Sequence, residues 1–442
     1  MYLLSVLLII SFRRIDNISL TKYKFRSFCG KVHNFVAPIN KNIMLTLSKK
    51  AQALPASPIR KLVPYADAAK KRGIKVYHLN IGQPDIASPV EALQAVKDNQ
   101  LKLVAYPNSA GNESYRKGLA KYYQNIGIDV DYTDINVTTG GSEALQIALT
   151  VTCDPDDEVI VLEPFYTNYN SFAIVNDVKF VPITTSMDNG FAIPSIEEFE
   201  KHITPRTKGI IICNPCNPTG VLYTKDEIEK LGDVARKHNL FIYSDEVYRE
   251  FCYTDEPHYS CMHIKGLENN VILCDSVSKR YSLCGVRIGA IISKNKEVMN
   301  AVLRYSQARL CSPAYGQIAA EAALNAPASY FKAVRDEYIK RRDFLVETLR
   351  TIPGVVCPTP MGAFYAAVRL PIDDSEKFAQ WLLEDFSYNG KTVMVAPMAG
   401  FYATPGKGKD EVRIAYVLKI EDLREALACL REALKVYPGR TI

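Results

Sequence analysis

Two hydroxyls, an amine and a guanidinium fall within twelve positions of the stretch 275–289, which reads D-S-V-S-K-R-Y-S-L-C-G-V-R-I-G. Ser276, Ser278 and Arg287 could hold a phosphate, and Lys279 puts an amine beside it. A lysine amine is a useful nucleophile only when its pKa is lowered, and it then condenses with a carbonyl to a Schiff base. A phosphorylated aldehyde whose ring draws electrons, pyridoxal phosphate, would engage all four groups at once. In isolation the same stretch also describes a surface turn with a solvated lysine, so the choice rests on what surrounds it.

These groups need elements that bring them together. Short apolar, β-branched runs at 135–139, 159–162, 180–183, 209–213, 240–243, 271–274 and 288–292 alternate with helical segments. Such alternation predicts an α/β fold, a mostly parallel sheet flanked by helices. In open α/β sheets ligands bind beyond the carboxyl ends of the strands, so chemistry-bearing residues should follow each run.

After the first run comes T-T-G-G-S-E-A-L at 138–145. Gly141 allows close backbone approach there, and Ser142 opens a helix whose free N–H groups favour an anion; a serine N-cap behind ordinary turn glycines reads the same way. Tyr166 follows the second run and offers a flat face to a flat ring, or a packing contact. N-P-C-N-P-T-G at 214–220 sets two Asn-Pro turns in seven residues and contains Asn217. Asp245 ends a buried strand, where an acid wants a cation such as a protonated pyridine nitrogen, unless it caps a following helix. Tyr248 is three residues on, near enough to reach a ring oxygen. Upstream, N-I-G-Q-P-D at 80–85 is a turn cluster in which the Gly82 backbone could approach a ligand.

Taken in order, N-P-C-N-P-T-G, S-D-E-V-Y and S-V-S-K-R-Y-S-L-C-G-V-R-I-G resemble the class I/II pyridoxal-phosphate aminotransferases of fold type I, the aspartate aminotransferase superfamily, from about Leu45 to the C-terminus. The resemblance implies that Lys279 carries the cofactor as a Schiff base and moves the substrate Cα proton. It implies that Asp245 pairs with the pyridine nitrogen and that Tyr248 and Asn217 bond the ring oxygen. Tyr166 then stacks on the ring, and Gly141, Ser142, Ser276, Ser278 and Arg287 hold the phosphate. Tyr106 reaches that phosphate from a neighbouring subunit of a homodimer with shared active sites. Arg413, in V-R-I-A-Y at 412–416, grips the substrate α-carboxylate, with Gly82 and Asn217 lining the substrate side. The implied reaction is ping-pong transfer of an amino group between an L-amino acid and a 2-oxo acid. Aspartate with 2-oxoglutarate comes first, and alanine or aromatic amino acids are the alternatives.

The chain departs from the family pattern in two places. Val286 stands where the family often has tryptophan. The phosphate loop offers Ser142 and Glu143 where some aspartate-specific relatives carry a lysine for the distal carboxylate; a base for that group would come from elsewhere, such as Arg60, Lys61 or Lys102. A lyase on the same scaffold would keep Lys279, Asp245 and Tyr248. A non-enzymatic regulator would need a DNA-binding module, for which the first 43 residues are too short and lack a helix-turn-helix pattern. A dinucleotide-binding dehydrogenase would need G-x-G-x-x-G after its first strand, and none is present.

Composition bounds the remaining choices. With 442 residues, 48% hydrophobic and 23% charged, the chain reads as a globular enzyme of two or three domains. Residues 1–43 hold seven Lys or Arg and one acid, which accounts for the whole net charge of +6. The remaining 47 bases and 47 acids balance, so no basic face for nucleic acid is expected. The apolar run 2–12 is too short to span a bilayer, and Arg13 and Arg14 follow it, unlike a secretory signal. No membrane association is expected, and residues 1–43 are set aside as a leader, disordered or due to an upstream start. Eleven scattered cysteines predict reduced thiols in a cytoplasm, and the single C-x-x-C of Cys213 and Cys216 lacks a second pair at metal spacing, so no metal is expected. Residues 44–89 are expected to form an N-terminal arm and part of a small domain, 90–323 the large cofactor-binding domain, and 324–442 the small C-terminal α/β domain.

Overall fold

The structure, a computed structural model, describes residues 45–442. The leader expected at residues 1–43 lies outside the described residues. Residues from Ala53 onward form one unit.

β1 (Lys75–His78) is followed by seven strands of one sheet: β2 (Ile135–Thr138), β3 (Glu158–Glu163), β4 (Lys179–Thr184), β5 (Thr207–Cys213), β6 (Phe241–Asp245), β7 (Val271–Ser276) and β8 (Gly289–Ile292). Their order is β2-β8-β7-β6-β5-β3-β4. Only β8 runs antiparallel to its neighbours. A parallel sheet covered on both faces buries nearly every side chain, which is why β3, β6 and β7 read as apolar runs broken only by polar residues at their ends. All seven runs recognised in the sequence are strands of this sheet, with ends moved by one or two residues.

A second group of elements joins the two ends of the chain. β9 (Tyr365–Arg369), β10 (Lys391–Met394), β11 (Ala396–Pro397) and β12 (Glu411–Ala415) follow the large sheet, and β11, β12 and β9 form an antiparallel sheet in that order. β1 pairs in parallel with β10, so a strand from before the large sheet is completed by one from after it. The helix Ile420–Val436 turns Leu423, Leu427, Leu430 and Leu434 into the same core, the spacing of a one-faced helix. The helix Ala328–Arg350 follows Pro327, and its first turns bury little. No helix among the described residues is long and apolar enough to cross a membrane.

Candidate active site

Lys279 sits on the short helix Val277–Arg280 that follows β7. Ser276 Oγ accepts a hydrogen bond from Ser278 N at 3.1 Å and lies 2.7 Å from Ser278 Oγ, which fixes the turn from strand to helix. Below it, Asp275 accepts bonds from Tyr123 Oη at 2.5 Å and Arg280 Nη2 at 2.6 Å, so the junction is anchored from both sides. Lys279 Nζ donates to the Gly82 carbonyl at 2.8 Å. Gly82 must be glycine, because a Cβ there would overlap the Tyr365 hydroxyl. Burial, and then the charges of Arg413 and Arg287, pull the Lys279 amine down to about 8 despite the opposing influence of Cys284.

Asp245 ends β6, buried, and accepts a bond from Tyr169 Oη at 2.6 Å. Burial pushes its carboxyl up to about 6, against the hydrogen bonds from Tyr169 and from Val247 N. No helix begins after it, so it is not a helix cap. Tyr166 packs edge-on against Tyr169 with centroids 5.8 Å apart, and Tyr248 Oη lies 2.9 Å from Tyr365 Oη.

At the end of β2, Gly140 takes φ 88° and the helix Gly141–Thr152 starts there, one residue before the expected Ser142. The start moves because a glycine in that conformation serves as the cap without a side chain. The N–H groups of the first helical turn have no intrahelical acceptor and favour an anion. Glu143 is not available to a ligand: it accepts Thr139 N at 2.6 Å and pairs with Arg309 at 2.7 Å. Arg287 donates to the carbonyls of Cys284 at 2.9 Å and Thr139 at 3.3 Å, with no carboxylate partner among the described residues.

Arg413, on β12, is only 2% exposed. It donates to Asn217 Oδ1 at 3.0 Å and to the Asn80 carbonyl at 2.6 Å, while its Nε has no partner. Its guanidinium lies over the rings of Tyr365, 4.5 Å away, and Phe401, 5.2 Å away. Burial lowers its pKa, since no carboxylate compensates the charge. A buried fork without an acid is a waiting carboxylate site.

These groups open onto one cavity of about 940 Å3. Every site residue read from the sequence lines it except Tyr106, which is 81% exposed and lies elsewhere on the chain. Of the three bases considered for a distal carboxylate, Arg60 lines the cavity, Lys61 is paired with Glu376 at 2.7 Å, and Lys102 is not at the cavity wall. Tyr169, Tyr365 and Arg309 were missed by sequence reasoning. Tyr169 had a signal in its position three residues after Tyr166; Arg309, far along the chain from Glu143, had none. The residues present fit a phosphorylated aldehyde with a basic ring nitrogen: a helix N-terminus beside Arg287 for an anion, a buried amine at Lys279, and a buried carboxylate at Asp245.

The chain matches the family described as aminotransferase class I and II over residues 74–430. An aspartate aminotransferase of Thermotoga maritima is 33% identical over 390 residues, 88% of this chain and 99% of the relative. The solved aspartate aminotransferase of Thermus thermophilus with maleate matches with TM-score 0.81 at 29% identity, covering 88% of this chain and 100% of that one. An alanine aminotransferase of Pyrococcus furiosus matches with TM-score 0.81 at 31% identity, over 88% of this chain and 100% of that one. The chain therefore belongs to the class I and II aminotransferases, fold type I enzymes that depend on pyridoxal phosphate and move an amino group between an amino acid and a 2-oxo acid.

Proposed function

We propose that this aminotransferase takes its amino group from aspartate and passes it to 2-oxoglutarate, with Lys279, Asp245 and Tyr248 as the catalytic residues. The observation that carries the reading is the Lys279 amine, held by burial at a pKa of about 8 in a cavity whose bases have no carboxylate partners among the described residues.

Pyridoxal phosphate, when bound, supplies an aldehyde that exchanges amines and a ring that draws electrons from the substrate Cα. Ser276, Ser278, Arg287, Ser142 and the N–H groups from Gly141 hold its phosphate. Asp245, ionised once it has a cation to face, keeps a proton on the ring nitrogen. Tyr248 and the free amide N–H of Asn217 donate to the ring oxygen, and Tyr166 covers the ring face. Arg413 takes the substrate α-carboxylate bidentately and thereby orients the Cα–H bond toward Lys279, with Gly82 and Asn217 completing that wall. Lys279 Nζ, whose pKa burial lowers to about 8, would take the substrate Cα proton as general base. The first oxo acid leaves before the second enters, which gives ping-pong kinetics.

The reading extends to the whole molecule. Tyr106 completes the phosphate site of a second subunit in a homodimer; its own 81% exposure, with Leu103 at 75% and Val104 at 53%, supports a covered surface there. A sedimentation mass of a single chain at micromolar concentration would remove this part. Residues 90–323 act as the large domain, and 44–89 with 324–442 as the small one. A cytoplasmic location is supported by ten described cysteines, all free thiols. Alanine is the second donor, supported by the match to the Pyrococcus furiosus alanine enzyme. Lys279→Ala tests the assignment: turnover is expected to fall by more than about 1,000-fold while the protein still binds the cofactor non-covalently. Transamination at the wild-type rate would end the assignment.

A further inference from the structure

We propose that Cys213 and Cys216 are a redox modification site in the wall of the cofactor cavity: a hydroperoxide joins their sulfurs in a disulfide, a thiol reductant reopens it, and the closed form binds the cofactor more weakly. The proposal goes beyond the transamination reading and rests on it only for the identity of the cofactor.

The pair is built into the turn that follows β5. Cys213 is the last residue of that strand and the register partner of Asp245; Cys216 follows after Asn214 and Pro215 and stands directly before Asn217. Cys213 Sγ lies 3.4 Å from the Pro215 carbonyl oxygen, on the peptide that joins Pro215 to Cys216, and its weak S–H is shared between that oxygen and the Cys216 sulfur. The Cys216 backbone is pinned on both sides, its N–H to the Val221 carbonyl and its carbonyl to Gly220 N, each at 2.9 Å. Two sulfurs at C-x-x-C spacing in a fixed turn suit thiol–disulfide chemistry. They do not suit a metal, because among the described residues they belong to no group of three ligating side chains.

Access and acidity divide the work between the two sulfurs. Both residues are buried, but Cys213 lines the cavity of about 940 Å3, where a small oxidant can reach it. The hydrogen bond from Cys213, and then those from the Thr219 hydroxyl and N–H, hold the Cys216 thiol below its ordinary range against the effect of burial. Cys213, which donates that bond and is buried beside Asp245, is pushed well above it. Cys216 is therefore the sulfur that loses its proton to solvent, and it then takes the Cys213 proton along their hydrogen bond. The Cys213 thiolate attacks one peroxide oxygen; the O–O bond breaks, and the departing hydroxide takes the proton now on Cys216 and leaves as water. Cys213 is then a sulfenic acid. Cys216 attacks its sulfur, the S–O bond breaks, and the second hydroxide leaves as water with a proton from solvent. Two thiols are oxidised and one hydrogen peroxide is reduced to two waters. Joining the sulfurs draws in the turn that carries Asn217, whose side chain accepts from Arg413 Nη1 at 3.0 Å and is read above as a donor to the ring oxygen.

The test treats the full-length, cofactor-free protein with hydrogen peroxide and follows peptide mass and cofactor binding. The peptide containing both cysteines should become lighter by two hydrogens, and dithiothreitol should restore it. Fluorescence titration should show cofactor affinity about 10-fold weaker in the oxidised form, the worth of one buried hydrogen bond, and recovered after reduction. Cofactor-loaded protein should resist the same treatment, because a ring paired with Asp245 covers the wall that Cys213 shares. Cys213→Ser and Cys216→Ser, each compared with itself before treatment, should both lose the peroxide-dependent drop in affinity. A wild-type peptide that keeps both thiols after treatment, a disulfide that leaves cofactor affinity unchanged, or a drop in affinity that persists in both variants would overturn the proposal. A protein that binds no pyridoxal phosphate before oxidation would instead remove the parent reading, while the peptide mass still decides whether the two sulfurs join.

Discussion

Asp245 and Lys279 are both held against their ordinary charge by burial, and each carries a stability consequence that can be separated from catalysis. The Asp245 carboxyl is raised to about 6, so without a cation opposite it the native state binds a proton that the unfolded chain has already released. Stability of the cofactor-free protein therefore falls as pH rises from the ordinary carboxylate range through about 6. Asp245→Asn removes that cost while keeping an acceptor for Tyr169. We expect it to stabilise the cofactor-free protein at pH 8 by on the order of 2 kcal/mol, with the gain shrinking toward pH 5, and to cripple turnover. A melting temperature that drops equally at both pH values would contradict this account of Asp245. Lys279 and Asp245 could be singled out from their local sequence, whereas Arg413 came only through the family resemblance. Tyr169, Tyr365 and Arg309 could not, since their partners lie 76, 117 and 166 residues away in the chain and only the fold makes them neighbours.

The elements that hold these residues meet at the carboxyl edge of the sheet, where the first residue of β8 is wedged between β7 and the phosphate loop. A Cβ at Gly289 would lie 2.5 Å from the Gly140 carbonyl carbon, 2.6 Å from the Asp275 oxygen and 2.8 Å from the Gly141 nitrogen, all backbone atoms that cannot swing aside. Gly289→Ala is thus expected to push the anion cradle away from Ser276 and weaken cofactor affinity by more than about 10-fold. Gly285→Ala, whose added Cβ meets nothing within 4 Å, should leave affinity unchanged. Equal affinities in the two variants, measured by fluorescence titration of the cofactor-free protein, would refute this role for the close packing. The seven strands were readable because double-sided burial writes itself as apolar runs bounded by polar ends. β10 and β11 were not, being four and two residues long and defined by pairing with β1 and β12 rather than by their own composition.

At the scale of the molecule, a chain whose net charge of +6 resides wholly in its first 43 residues presents a balanced body and concentrates uncompensated positive charge in one cavity. That arrangement suits small anionic substrates. The identity of those substrates is the least legible feature, because it turns on which side chains folding brings to the cavity wall and not on any local pattern. The most direct measurement is the absorption spectrum of the purified, cofactor-loaded protein before and after adding aspartate with no oxo acid present. The account predicts that the visible band of the cofactor on Lys279 is replaced by that of its amine form, with one equivalent of oxaloacetate released per site, and that 2-oxoglutarate restores the original band. A loaded protein whose band does not respond to any amino acid, or that releases ammonia in place of storing the amine, would contradict it.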